Sequence, residues 1–359
     1  MIKRILYTLL IMFPVLASAQ INTDRVMAIG RNALYFEDYV LSIQYFNQVI
    51  NAKPYLSDPY FYRGLAKINL DDFQGAESDC SEAIERNPFV VSAYQVRGLA
   101  RIQQNNFAGA IEDYTKALEF DPENIGVWHN MALCRIRQED YKGAKNDLDK
   151  LIAISPRYTK AYLMRGEVDL KQKDTLAAEK DFGKAIEIDR YDADTWASRA
   201  ILRLQQQRYK DAEADFDHAI RLSTRNSGVY INRALARYHQ NNLRGAMSDY
   251  DIALDIDPNN FIGHYNRGLL RAQVGDDNRA IQDFNFVIEM EPDNMMAIFN
   301  RGLLLDQTGD YKGAIKDYST VINEYPNFLL GYQYRAQARR KIGDVKGADA
   351  DEFKVLKIG

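Results

Sequence analysis

The sequence predicts an all-α chain built from tandem helix-turn-helix repeats of 34 residues. One observation is a grid of prolines, because a fixed spacing between identical residues marks a repeated structural unit. The prolines on this 34-residue grid are Pro54, Pro88, Pro122, Pro156, Pro258, Pro292 and Pro326. A second observation is the helical spacing of apolar residues within each period, as in the stretch from Ala110 to Leu118. Both observations favour pairs of short helices that recur along the chain.

Placing the prolines at the thirty-second position divides the chain into ten repeats, although Arg190 and Thr224 replace proline at two grid points. The repeats start at residues 23, 57, 91, 125, 159, 193, 227, 261, 295 and 329. Every repeat has glycine or alanine at its eighth position, and nine repeats have alanine at the twentieth, where the first has Ser42. Small residues in register on two helices let their backbones approach closely, so we expect the two helices of each repeat to cross there.

Large apolar residues recur at the twenty-fourth position and aromatic residues at the fourth, and both sets are expected in the core. The residues at the twenty-fourth position are Phe46, Cys80, Tyr114, Leu148, Phe182, Phe216, Tyr250, Phe284 and Tyr318, with Glu352 in the last repeat. The two cysteines of the chain, Cys80 and Cys134, lie two repeats apart. A disulfide requires α-carbons within about 7 Å, so we expect two buried free thiols.

These positions together resemble the tetratricopeptide repeat family, in which the same residue types stand at the same places of a 34-residue unit. The resemblance runs from Thr23 to Gly359. It implies two antiparallel helices in each repeat, at about 57–70 and 73–86 in the second, stacked into a right-handed α-solenoid superhelix. It also implies a non-catalytic scaffold for protein-protein interaction, which binds a peptide or protein segment in a concave groove.

Members of that family bind their ligands on the first helices of the repeats, and the resemblance therefore points to candidate site residues. Asn232, Asn266 and Asn300 occupy the sixth position of three consecutive repeats, similar to the asparagine ladder with which some members grip a peptide backbone. The aromatic residues predicted on the same face are Tyr238, Tyr265 and Phe299. Other apolar residues of that face include Ile231, Leu269 and Met296, of which part must be core. Helix capping or contacts between repeats would explain the asparagines equally well, so both interpretations stay open.

Arginine at the seventh position and aspartate at the twenty-third form the most frequent charged pattern. The arginines would suit an acidic ligand, but carboxylates in the same register would neutralise them. We therefore predict a repeated ion pair between the two helices of a repeat, since guanidinium-carboxylate pairs suit partly buried interfaces. Met131 replaces the arginine in the fourth repeat, so Asp147 must find another partner or stay solvated.

The N-terminus predicts a cleavable signal peptide over residues 1–19 and a mature repeat array over 20–359. Lys3 and Arg4 precede an apolar run from Ile5 to Leu16, and small residues follow up to Ala19. The run is shorter than the roughly 20 residues that a membrane-spanning helix needs. We expect an exported protein, periplasmic, at the cell surface or secreted, without an integral membrane segment after cleavage.

Composition and motifs argue against other classes of function. The formal net charge is −4, with acidic and basic residues interspersed, whereas nucleic-acid binding needs a basic stripe. The four histidines have no recognised metal-ligand spacing, and no catalytic motif is present, so we predict no catalytic residue, no metal and no cofactor. The expected partner is a protein or peptide. The alternatives are a structural oligomer that associates through the array ends, or an accessory subunit of an envelope enzyme or secretion complex.

Overall fold

The computed structural model describes residues 22–358, which form helices joined by short turns without a strand. The first helices of the repeats are α1 (Thr23–Tyr35), α3 (Asp58–Ile68), α5 (Val91–Gln103), α7 (Ile125–Arg137), α9 (Thr159–Lys171), α11 (Ala193–Gln205), α13 (Ser227–His239), α15 (Phe261–Gln273), α17 (Met295–Thr308) and α19 (Leu329–Lys341). The second helices are α2 (Tyr39–Ala52), α4 (Phe73–Arg86), α6 (Phe107–Phe120), α8 (Tyr141–Ile154), α10 (Thr175–Ile188), α12 (Tyr209–Leu222), α14 (Leu243–Ile256), α16 (Asp277–Met290), α18 (Tyr311–Glu324) and α20 (Val345–Ile358). The predicted all-α solenoid of helix pairs is confirmed; the predicted signal peptide, 1–19, lies outside the described residues.

The chain divides into two compact units, one ending at Ala178 and the other beginning at Glu179. In the first unit, consecutive helices from α1 to α9 pack against each other. In the second unit, the same packing runs from α11 to α20. First helices of neighbouring repeats also touch, as α17 and α19 do. Each unit therefore builds its core by stacking helix pairs that could not bury their apolar faces alone.

The turn between the two helices of a repeat is formed by a left-handed residue followed by a capping residue. Asp71 has φ 60°, a left-handed conformation that ends α3, and the same place is taken by Gly275 in a later repeat. The carboxylate of Asp72 then accepts a hydrogen bond from the backbone N–H of Gly75 at 2.9 Å and caps α4. The left-handed residue explains why α3 ends at Ile68, before the limit near residue 70 that the repeat pattern predicts.

The predicted core positions are buried, except that Trp128 and Trp196 at the fourth position are half-buried. Side chains at the twenty-fourth position, such as Phe46, Leu148 and Phe284, have no solvent exposure. A β-carbon added at Gly98 would lie 2.8 Å from the ring of Tyr114, so the small eighth position does mark a close approach. Cys80 and Cys134 are buried free thiols, and burial raises the pKa of these thiols to about 12 and about 11 respectively.

Candidate protein-binding face

The repeated arginine-aspartate pattern joins the two helices of a repeat. In the seventh repeat, Arg233 of α13 donates two hydrogen bonds to the carboxylate of Asp249 in α14, at 2.9 and 2.6 Å. The same pairing is present in Arg63–Asp79, Arg97–Asp113, Arg199–Asp215, Arg267–Asp283, Arg301–Asp317 and Arg335–Asp351. Asp249 is 1% exposed and also pairs with Arg237, at 2.9 Å. The predicted interhelical ion pair is confirmed, and these guanidinium groups are held by buried carboxylates.

Asp147 shows what happens where Met131 removes the arginine. Arg135, one helical turn further along α7, donates from Nε to Asp147 at 2.7 Å and from Nη1 to Asp140 at 2.9 Å. Burial raises the pKa of the Asp147 carboxyl to about 6, because one shared guanidinium offsets only part of the loss of water. Asp147 therefore pairs with another arginine of α7, which it shares with Asp140.

The three predicted asparagines lie inside first helices of the second unit, in α13, α15 and α17, and each is half-buried. None of them caps a helix, since the caps of these helices are Asn226, Asn260 and Asn294. The amide of Asn300 donates to the hydroxyl of Tyr265 at 3.2 Å, which is a contact between neighbouring repeats. Within residues 22–358, the amides of Asn232 and Asn266 make no hydrogen bond, so they stay open to another partner.

The three predicted aromatic residues are half-buried and belong partly to the core. Tyr265 packs edge-on against Phe284 with ring centroids 5.8 Å apart, and burial raises the pKa of its hydroxyl. The ring of Phe299 packs edge-on against the rings of Phe328 and Tyr334, with centroid distances of 5.1 and 5.8 Å. Tyr238 packs against the core cluster around Tyr230 and Tyr250. These rings therefore support the face of the first helices as much as they contribute to its surface.

Aliphatic side chains next to the asparagines are more accessible than the aromatic ones. Met296 is 63% exposed, Ile262 50% and Leu269 39%, whereas Ile231 is buried in the core. Ile262, Asn266 and Leu269 follow i, i+4 and i+7 spacing and share one face of α15, as Met296 and Asn300 do on α17. We call the surface formed by Asn232, Asn266, Asn300, Ile262, Leu269 and Met296 the amide face. Ile262 is not among the residues that the sequence predicts on this face, although it occupies the same repeat position as Met296.

No group of three or more histidine, cysteine, aspartate and glutamate side chains within 22–358 is placed to hold a metal ion. None of the helices in that range is long and apolar enough to cross a bilayer.

The fold and the repeated ion pairs define a class of all-α repeat proteins, and comparison with family models identifies which one. Models described as tetratricopeptide repeat match residues 125–158, 159–192, 198–261 and 265–327, and a model described as TPR repeat matches 98–134. The chain belongs to the tetratricopeptide repeat family. Such repeats support a role as a protein-interaction scaffold with protein partners.

Solved structures share this fold at low sequence identity. A tetratricopeptide repeat protein from Parabacteroides merdae is 21% identical with a TM-score of 0.54, over 69% of this chain and 98% of that one. The Pseudomonas aeruginosa protein pilF is 19% identical with a TM-score of 0.51, over 60% of this chain and 97% of that one. A search of curated proteins finds no significant match. These likenesses concern the fold alone.

Proposed function

We propose that this protein is a non-catalytic scaffold whose amide face binds an extended protein segment. The proposal rests on one observation: exposed aliphatic side chains lie next to half-buried amides that have no hydrogen-bond partner among the described residues. Met296, Ile262 and Leu269 are accessible, and the amides of Asn232 and Asn266 make no hydrogen bond within the described residues.

The chemistry of these groups fits a peptide backbone. A side-chain amide donates to a carbonyl and accepts from an N–H at once, so it recognises the main chain whatever the sequence. The aliphatic side chains beside it gain roughly 25 cal/mol for each Å² of apolar surface that a ligand covers. An extended segment offers both, because its side chains alternate about its hydrogen-bonding backbone. The arginines at the seventh position are not available for an acidic ligand, because buried aspartates hold them, as Asp249 holds Arg233 and Asp283 holds Arg267.

We further propose that the protein acts outside the cytoplasm, as part of an envelope assembly. The basic pair, apolar run and small residues before Gln20 support export. Expression in a bacterial host followed by mass spectrometry of the periplasmic and medium fractions tests this step. A chain that begins at Gln20 in either fraction is expected, and a cytoplasmic chain that retains Met1 contradicts it.

The binding face is tested by a pull-down from envelope extract with residues 20–359. The test variant carries Asn232→Ala, Asn266→Ala and Asn300→Ala. The control variant carries Asn259→Ala, Asn278→Ala and Asn323→Ala, three exposed asparagines outside the first helices. Circular dichroism and urea unfolding establish that both variants fold.

A partner that the wild type and the control retain, and that the test variant loses, is the expected result. Equal recovery by all three proteins places binding elsewhere and contradicts the proposal. A molecular mass that rises with protein concentration, without any captured partner, favours the structural oligomer instead. Capture of an enzyme that the test variant also retains favours the accessory subunit.

A further inference from the structure

The joints between neighbouring repeats use two contacts that recur along the chain. In the first contact, arginine at the seventh position donates to the side chain at the twenty-fifth position of the preceding repeat, as Arg233 does to Asp217 at 2.7 Å. The other joints with this bond are Arg63–Asn47, Arg97–Ser81, Arg165–Asp149, Arg267–Asp251, Arg301–Asn285 and Arg335–Ser319. In the second contact, the apolar residue at the twenty-fourth position shares a buried cluster with the third residue of the next repeat, as Phe216 does with Val229. A joint is therefore polar at one place and apolar at another.

The first and last repeats depart from both contacts, on the sides that no other described repeat covers. The seventh residue of the first repeat is Ile29 instead of arginine. The twenty-fifth residue of the last repeat is Phe353, whereas the other nine repeats have a polar residue or glycine there. The third residue of the first repeat is Arg25, where the other repeats have an uncharged residue, and Glu352 replaces the apolar twenty-fourth residue of the last repeat. The polar contact has thus become apolar on both sides, and the apolar contact has become charged.

The apolar residues on both sides are accessible. Ile29 is 37% exposed and Phe353 is 59% exposed. Leu356, three residues after Phe353 on α20, is 81% exposed, whereas its equivalent in the ninth repeat, Ile322, is 4% exposed. A β-carbon added at Gly331 of α19 would lie 2.9 Å from Ile322, so the next repeat covers this position inside the array. Leu356 keeps the apolar side chain of a joint without a described repeat to bury it, and its burial would be favourable.

The charged residues on both sides can each take a partner. Arg25 is exposed, and its guanidinium makes no ion pair within residues 22–358. The carboxylate of Glu352 accepts two hydrogen bonds from Arg340, at 3.0 and 2.8 Å, and its side chain is still 51% exposed. An ionised carboxylate has about four acceptor positions, so a second cation can bind it. We call Arg25 and Ile29 the head face, and Glu352, Phe353 and Leu356 the tail face.

The head face and the tail face match each other. If α20 of one copy packs against α1 of another as α18 packs against α19, Phe353 meets Ile29 at the place of the internal arginine bond. In the same arrangement Glu352 meets Arg25, a pair of opposite charge at the place of the internal apolar contact. We propose that the protein associates head to tail with a second copy of itself, through the tail face of one chain and the head face of the other. Such a contact is heterologous, so it can continue from chain to chain.

Analytical ultracentrifugation of residues 20–359 tests this contact without any other partner. The mass is expected to rise with protein concentration in the micromolar range. Phe353→Lys and Ile29→Lys should each raise the dissociation constant at least about tenfold, because each places a charge in the apolar contact. Leu176→Lys, at an apolar residue of α10 that is 80% exposed, is the control and should leave association unchanged. Circular dichroism and urea unfolding establish that the variants fold.

Mixing the two blocked variants identifies the direction of the contact. The Ile29→Lys chain keeps its tail face, and the Phe353→Lys chain keeps its head face. An equimolar mixture should therefore form a 1:1 dimer and nothing larger, although each variant alone stays monomeric. A dimer of either variant alone would show that like faces pair, and this result overturns the proposal. A wild type that stays monomeric at every concentration overturns it as well.

Charge reversal tests whether Arg25 and Glu352 meet. Arg25→Glu and Glu352→Arg should each weaken association about fivefold, because like charges then face each other. The double variant should recover most of the wild-type affinity, since the pair is restored in the opposite sense. No recovery overturns the packing of α20 against α1. The amide face takes no part in this contact, so loss of partners in the asparagine variant and loss of self-association are separate results.

Discussion

The indole Nε1 of Trp128 donates a hydrogen bond to the carbonyl oxygen of Pro122, at 2.8 Å. Trp128 is the fourth residue of its repeat, and Pro122 belongs to the end of the preceding one. Tyrosine makes the same bond elsewhere, as Tyr162 does to Pro156 at 3.1 Å. Trp196 bonds the carbonyl of Arg190 at 3.0 Å, so the bond survives where proline is lost. In these repeats the aromatic fourth position therefore ties the first helix to the end of the previous repeat through a backbone acceptor.

Tyr162→Phe removes this bond without changing the ring. We expect the free energy of unfolding to fall by about 1 kcal/mol, because the carbonyl of Pro156 loses its donor in a partly buried place. Urea unfolding followed by circular dichroism measures the change. Tyr55→Phe, at a tyrosine that is 68% exposed, is the matched control and should have no effect. Equal stability of the two variants would contradict the role of the bond.

The sequence predicted those features that recur in many repeats. Each of these features depends on residues of a single repeat. Examples are the close approach of small residues where the helices cross, the buried twenty-fourth position, and ion pairs such as Arg233–Asp249. Ten copies of the pattern make such a relationship visible without a structure. The fold follows from these local relationships, which is why the helix pairs could be predicted nearly residue by residue.

The candidate site was less predictable because it depends on how neighbouring repeats meet. The bond from Asn300 to Tyr265 joins residues of two repeats, and no pattern in either repeat reveals it. Burial depth is not visible in a sequence pattern either: Phe299 is predicted on the binding face, but several rings surround it. The ion pair between Lys341 and Asp306, at 2.7 Å, likewise joins two repeats.

Cys80 and Cys134 should be unreactive while the protein is folded. Both thiols are buried, and burial raises the pKa of each, so little thiolate is present at pH 8. We expect no reaction with a chromogenic disulfide reagent in buffer and two thiols per chain in denaturing urea. An exposed cysteine introduced by Asn323→Cys should react at once in the folded protein. Fast reaction of the wild type in buffer would show that these repeats open readily.

The left-handed turn positions offer a reciprocal pair of substitutions. Gln207 has φ 60° and Gly275 has φ 82° at the same place of their repeats. Gln207→Gly should raise the free energy of unfolding by about 0.5–1 kcal/mol, since glycine adopts this conformation without steric cost. Gly275→Gln should lower it by a similar amount. Urea unfolding of both variants, within the same unit, measures the two effects, and changes of the same sign would contradict the explanation.

Met131→Arg should restore the ion pair from the seventh position, which the fourth repeat lacks. The new guanidinium would reach Asp147 as Arg97 reaches Asp113, and Thr115 stands where Ser81 accepts the remaining bond from Arg97. We expect the free energy of unfolding at pH 7 to rise by about 1 kcal/mol or more, because a charge-assisted pair forms in a buried place. Met131→Gln has a similar length without the charge and should not stabilise the protein.

The pH dependence identifies the cause of this stabilisation. The pKa of Asp147 is about 6 in the folded protein, above its ordinary value of 3.8. Between these values the folded state holds a proton that the unfolded state has released, so this group makes wild-type stability fall as pH rises from about 4 to about 7. The arginine of the variant would lower the pKa of Asp147 and remove that fall. The difference in unfolding free energy between Met131→Arg and wild type should therefore grow from pH 4.5 to pH 7, and a constant difference would mean that packing, not charge, is responsible.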